Sequence, residues 1–168
     1  MKRILIVGCC GAGKTTLSYV LSNLTKLPVI HLDKEYYLPE WVTPNEDTWV
    51  EKVNMLISKP EWIIEGNYAS SLDARLSRAD TIIFLDYPRF TCVSRVLLRT
   101  LKTFRKTRPD MAQGCKERFH WDFFKYVWNF HKTMHPRIIT SITNHPEVTL
   151  VHLRNDKDAE KYIDSLGK

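Results

Sequence analysis

Nine residues near the start of the chain, Gly8, Cys9, Cys10, Gly11, Ala12, Gly13, Lys14, Thr15 and Thr16, carry the clearest chemical signal. The first eight fit G-x-x-x-x-G-K-[ST], a loop built to hold phosphate. The glycines let the backbone turn tightly and aim its N–H groups inward. The helix that follows adds the positive end of its dipole, so the loop becomes an anion seat. Lys14 reaches β- and γ-phosphates, and the Thr15 hydroxyl is a direct Mg²⁺ ligand. Three of the chain's six glycines lie here, and a chance match in a chain of this length is roughly a one-in-several-hundred event. The expected ligand is ATP with Mg²⁺.

Phosphoryl transfer also needs carboxylates to orient the acceptor or hold the metal's water, and arginines for the developing charge. Asp33, Glu65 and Asp86 each close an apolar run. Asp33 and Glu65 are expected nearest the loop, binding Mg²⁺ through water or positioning an acceptor. Asp86 is a candidate for the same cleft. The histidines argue less. His131 and His135 are four apart, but no third ligand is evident, and no metal site is expected there. A guanine-reading N-K-x-D is missing, and the D-x-x-G at Asp164 lies in the last residues. These features exclude a switch GTPase.

The elements that must position these residues follow from periodicity. Apolar runs at Ile4 to Val7, Val29 to His31, Trp62 to Glu65, Thr81 to Asp86 and Val148 to Leu153 lack period-2 alternation, as in strands buried on both faces of a parallel sheet. Between them lie helical stripes: Trp49, Val53, Leu56 and Ile57; Leu72, Leu76 and Ala79; Val93, Val96, Leu97, Thr100, Leu101 and Phe104; Ala159, Tyr162, Ile163 and Leu166. A further helix is expected to bury Trp121, Phe124, Val127 and Trp128, with Pro136 kinking or ending it. The alternation predicts one three-layer α/β/α domain over residues 1–168, with a five-stranded parallel sheet ordered 2-3-1-4-5. Ligands then sit at the carboxyl ends of the strands.

Charge singles out one segment. The net charge is +6. Arg95, Arg99, Lys102, Arg105, Lys106, Arg108, Lys116 and Arg118 face only Asp110 and Glu117, so this stretch carries an excess equal to the whole. Residues 103–114, extending to about 118, have weak apolar periodicity and read as a lid over phosphates. The same cluster would suit nucleic acid, although no helix-turn-helix, zinc-finger or RNA-binding signature accompanies it. Cys9, Cys10, Cys92 and Cys115 show no zinc spacing and are expected as reduced thiols. Without an apolar run of membrane length, the expected location is the cytoplasm.

Three motifs in series extend the reading: His31 to Trp41, Trp62 to Tyr68 and Arg108 to Gly114. Together they resemble the bacterial adenylate-kinase-like P-loop proteins known as "DNA topology modulation protein". The resemblance implies a nucleoside monophosphate kinase-like fold with a lid. Glu65-Gly66 takes the place of the Asp-Gly after strand three of adenylate kinases. Arg95 and Arg99 resemble arginines leading into the lid, and Arg105, Arg108 and Arg118 resemble lid and post-lid arginines. Arg154 and Asn155 lie where such kinases hold adenine. After Gly66 the chain departs from Asp-Gly-Phe-Pro-Arg, reading Asn67-Tyr68-Ala69. The arginine that grips a monophosphate is absent there, with Arg75 as the available substitute. Tyr36, Tyr37, Trp41 and Trp49 either stack an acceptor or pack a helix. The expectation is therefore an ATP-dependent phosphotransferase acting on a small molecule or nucleotide, the alternative being a nucleic-acid-binding regulator that uses ATP as a switch.

Overall fold

A computed structural model describes residues 1–167. Five strands, β1 (Arg3–Gly8), β2 (Val29–His31), β3 (Trp62–Glu65), β4 (Thr81–Leu85) and β5 (Thr149–Leu153), form one parallel sheet. Its order is β2-β3-β1-β4-β5, as the sequence predicts. β3 and β4 are buried throughout and β1 nearly so, which is why their sequences run apolar without alternation. β5 closes one edge and is half exposed.

The helices are α1 (Lys14–Thr25), α2 (Leu32–Tyr36), α3 (Glu46–Ile57), α4 (Leu72–Leu76), α5 (Arg89–Thr103), α6 (Trp121–Thr143) and α7 (Asp156–Leu166). α1 packs against α7, while α4 and α5 pack against α6, and helices cover both sides of the sheet. Asn45 starts α3 by accepting from the Thr48 N–H at 2.7 Å, which satisfies one orphan donor of the first turn.

Three expectations change. The stripe on α5 is wider than the face it buries. Cys92, Val96 and Thr100 point inward, whereas Leu97, Leu101 and Phe104 are exposed. On α6, Phe124, Val127 and Phe130 are buried, but Trp121 and Trp128 lie outside. Trp128 meets Phe90 edge-on at 5.4 Å with Arg89 over its ring. Nor does α6 end at Pro136, which lies inside it. The proline removes one N–H, but burial of Phe130 before it and Ile138 after it holds both halves on the core.

The charged segment is better ordered than its sequence implies. Arg105 N–H donates to the Glu117 carbonyl at 2.9 Å, and Glu117 N–H to that of Lys106 at 2.8 Å. A bridge between Thr107 and Lys116 completes a short antiparallel finger. Its tip buries Met111, Ala112 and Cys115 as a second small core against Tyr37 and Trp41. The low apolar content predicts little burial, but these three side chains suffice because the β2 side supplies the aromatic half.

Candidate active site

The phosphate loop connects β1 to α1 and is held by close approach. A Cβ on Gly8 would lie 2.4 Å from the Leu85 carbonyl oxygen, and one on Gly11 2.4 Å from that of Cys92. Both glycines also have positive φ, so any side chain would push the loop off β4 and α5. Asn67, two residues past β3, accepts from the Gly8 N–H at 3.1 Å. Lys14 Nζ donates to the Gly8 carbonyl at 2.9 Å and the Cys9 carbonyl at 3.3 Å. Burial works against its ammonium, but Cys10, Glu65 and Asp33 outweigh this and hold its pKa above the ordinary value. Burial raises the Cys10 thiol. All four cysteines are free.

Parallel register places the acids. His31 and Glu65 are partners across β2 and β3, and His31 Nδ1 lies 2.9 Å from Glu65 Oε1. The Thr15 hydroxyl donates to the same Glu65 oxygen at 3.0 Å and lies 3.4 Å from Asp110 Oδ2. Asp33 accepts from the Tyr68 hydroxyl at 2.8 Å. The two carboxyls are driven apart. Burial and the nearby Glu65 charge raise Asp33, against the pull of Tyr68, Lys14 and Arg108. Burial would raise Glu65 too, but His31, Lys14 and Thr15 overcome it and lower its pKa. Thr15, Glu65 and Asp110 form a set of hard oxygen donors of the kind Mg²⁺ takes.

The arginines divide. Arg108 ion-pairs with Asp110 at 3.5 Å and Glu117 at 3.2 Å. Burial and the Arg108 charge lower the Arg99 pKa, and Arg99 Nε is buried without a partner among the described residues. Arg108 Nε likewise lacks a hydrogen bond among the described residues despite its ion pair with Glu117, and two neighbouring guanidiniums with unused donors are a fitting seat for phosphate oxygens. Arg95 turns elsewhere, pairing with Asp156 at 2.6 Å and lying over the Tyr87 ring. Arg105 and Arg118 do not join Arg99 and Arg108. Both are exposed and line an open groove with Glu40, Trp41 and Phe104, between the charged segment and residues 40–41. Arg154 and Asn155 are exposed, and Asn155 caps α7 by accepting from Asp158 N–H at 3.0 Å.

Solved structures share this architecture. Shikimate kinase from Acinetobacter baumannii in complex with shikimate matches 99% of this chain and 90% of its own, with a TM-score of 0.66 at 16% identity. A gluconokinase from Sinorhizobium meliloti 1021 matches 99% and 93%, at 0.56 and 13%. Shikimate kinase from Aquifex aeolicus vf5 matches 98% and 92%, at 0.53 and 16%. The fold is that of the P-loop kinases. No protein-family model and no curated protein sequence matches the chain.

Within this P-loop fold two sequence candidates move. Arg75 does not substitute for a monophosphate-gripping arginine. It is wholly buried, donating to the carbonyls of Gly66 at 2.9 Å, Tyr68 at 2.8 Å and Ser71 at 3.2 Å, and to that of Asn67. Burial pushes its pKa down to about 9, against the opposing pull of Tyr68. Asp86 does not face the cleft; it turns to His131, His135 and His152. His31 and Asp110 join the site beyond the residues expected from the sequence. His31 was detectable, since it ends the strand that neighbours Glu65 in the predicted order. Asp110 was hidden by its role as a mere counter-charge. The open question about the aromatics resolves toward packing: Tyr36 meets Tyr37, Trp49 and Tyr68 with ring centroids 4.7–5.1 Å apart.

Proposed function

We propose that the protein transfers the γ-phosphoryl group of ATP to the hydroxyl of a small, non-phosphorylated acceptor. The observation that carries this reading is the geometry of two acids beside the phosphate loop: Asp33 is held by the Tyr68 hydroxyl at 2.8 Å, whereas Glu65 Oε1 meets the Thr15 hydroxyl at 3.0 Å and His31 at 2.9 Å, and their pKa values shift in opposite directions accordingly. Environments that push two acids apart assign them different roles. Asp33 takes the acceptor proton as the acceptor oxygen bonds to phosphorus and the bond to the ADP oxygen breaks. Tyr68 holds Asp33 in place. Glu65, kept ionised, would hold Mg²⁺ with Thr15 and Asp110; the ion would neutralise charge on the β- and γ-phosphates. Lys14, Arg99 and Arg108 stabilise the transferring group.

The acceptor class follows from charge. With Arg75 sealed in the core, the polar groups on the acceptor side of Lys14 are Asp33, Glu65 and the Tyr68 hydroxyl, which suit hydroxyls and repel a phosphate. Shikimate and gluconate kinases among the structural neighbours belong to this acceptor class. The nucleic-acid alternative is less well supported, because Arg108 is engaged by acids of its own segment. A panel of polyhydroxy acids, sugars, nucleosides and nucleoside monophosphates, read by ADP release with Mg²⁺–ATP, tests this. Turnover with a hydroxy compound is the expected outcome; turnover with monophosphates alone would overturn the acceptor class.

A further inference from the structure

A second cluster lies away from the phosphate loop, where β4 and β5 meet α6. Asp86 follows β4. His131 and His135 stand one turn apart on α6, and His152 lies on β5 opposite Phe84. One ligand atom each from Asp86, His131 and His135 falls within 4.8 Å of the others. His135 Nε2 is 3.3 Å and His152 Nε2 3.1 Å from Asp86 Oδ2, and His131 Nδ1 is 3.7 Å from Asp86 Oδ1. All four side chains keep between 16% and 29% of their surface exposed, so an ion can enter from solvent.

Hydrogen bonding shows what is missing from a purely structural account. His131 Nε2 lies 3.0 Å from the Tyr87 carbonyl. A carbonyl only accepts, so Nε2 carries the hydrogen. In the neutral ring Nδ1 then presents a lone pair to Asp86 Oδ1. That oxygen is itself buried without a hydrogen-bond partner among the described residues. A carboxylate accepting from His135 and His152 explains Oδ2 and leaves this facing pair unsatisfied. A cation between them resolves it. The His131 bond to a backbone carbonyl is also the outer contact that metal-bound imidazoles make, fixing tautomer and ring orientation. His152 is oriented by stacking on Phe84, 5.3 Å away and nearly parallel at 8°.

We propose that Asp86, His131, His135 and His152 form a site for a divalent transition-metal ion, with Zn²⁺ as the best-fitting occupant. Three imidazoles and one carboxylate make a borderline nitrogen and oxygen set of the kind zinc takes. A tetrahedral zinc with bonds of about 2.0–2.1 Å needs ligand atoms about 3.3 Å apart; Asp86, His131 and His135 lie within 4.8 Å of one another, the contacts to the two Asp86 oxygens span 3.1–3.7 Å, and a small rotation of His152 would complete the set. The ion would tie α6 to the carboxyl ends of β4 and the β5 edge. It is distinct from the Mg²⁺ role of Thr15 and Glu65 and needs no nucleotide.

The test uses the full chain, stripped with chelator and titrated without nucleotide. Zn²⁺ is followed by competition with a chromogenic chelator and Co²⁺ by its visible spectrum. One equivalent should bind, with d–d bands of a four-coordinate nitrogen and oxygen site. Zn²⁺ should raise the melting temperature. His135→Gln and His152→Gln should each weaken binding by about 10-fold or more. His152 lies on the exposed edge strand, so that variant keeps the proposal testable if His135→Gln fails to fold. Failure to saturate, unchanged affinity in the folded variants, or near-ultraviolet thiolate-to-cobalt absorption from Cys9 and Cys92 would each overturn it.

Discussion

Lys14 is the residue whose removal separates binding from folding. Among the described residues its Nζ bonds only carbonyls of its own loop, so Lys14→Ala removes a charge aimed at phosphate and little packing. ATP affinity or turnover should fall by about 10²-fold or more in a variant that still unfolds cooperatively, with some stability lost because Asp33 and Glu65 lose a counter-charge; calorimetric titration with ATP and a melting curve check the pair. The two acids predict opposite pH behaviour. Asp33 has a raised pKa, so the native state takes up a proton as pH falls before the unfolded chain does. Ionised Asp33 therefore costs stability above its folded pKa, and that cost is gone below its ordinary value of 3.8. Asp33→Asn keeps the acceptor for Tyr68 and should stabilise the fold at neutral pH, the gain vanishing in acid. The same variant should lower kcat by about 10²-fold, as for a lost general base. Glu65 has a lowered pKa, and its stabilisation is present above its ordinary value of 4.5 and lost as pH falls through the folded pKa. Glu65→Gln should flatten the acid side of the stability curve, read as denaturation midpoint against pH.

At the level of elements, the turn after β3 shows how a buried cation shapes an acceptor site without touching the acceptor. Tyr68 sits at a φ of 36°, a left-handed conformation unusual for a bulky residue. Arg75 from α4 holds it there by gripping the carbonyls on either side. Arg75→Met leaves the buried Gly66 carbonyl and the part-buried Asn67 carbonyl without their donor, at about 1–3 kcal/mol for a buried group, while the Tyr68 carbonyl keeps the Ser71 N–H and hydroxyl. It should lose about 1–3 kcal/mol by urea denaturation, and Arg75→Lys should fail to restore it, since one ammonium cannot span the set. The strands and their order were legible because burial on both faces leaves unbroken apolar runs. Gly8 to Thr15 was legible because its spacing encodes a backbone shape. Arg75 was not, because an arginine read along the chain gives no sign of being inside. Asp86 was not either: its partners are 45 or more residues away, and only the pairing of β4 with β5 and the docking of α6 bring them together. Leu97 and Leu101 misled for a related reason, since a stripe records apolarity and not the width of what covers it.

Across the whole molecule, the charged segment over residues 103–118, which we propose acts as a lid, is the piece whose state would link the two halves of the site. Residues 103–118 are docked here rather than open. Trp41 Nε1 donates to the Lys116 carbonyl at 3.1 Å, and Met111, Ala112 and Cys115 are buried against Tyr37 and Trp41. Asp110 near Thr15, and Arg108 between Asp110 and Glu117, stand where phosphates and a metal would carry the same charges. Acids of the segment therefore neutralise Arg108, and part of the repulsion expected of bare like charges is relieved without ligand. Closure is then held by one small apolar contact and a few ion pairs, a low-stability unit that opens locally. ATP with Mg²⁺ and an acceptor would give Arg99 and Arg108 stronger partners and deepen the closed state. Hydrogen exchange at the Lys106 and Glu117 amides should show weak protection alone and at least about tenfold slower exchange with a non-hydrolysable ATP analogue plus acceptor. Met111→Ser should speed exchange in the free protein and raise KM more than it lowers kcat, because it weakens closure but leaves Lys14, Asp33 and Glu65 in place. Equal protection in all states would mean a fixed flap, and the basic segment would then have no part in gating the site.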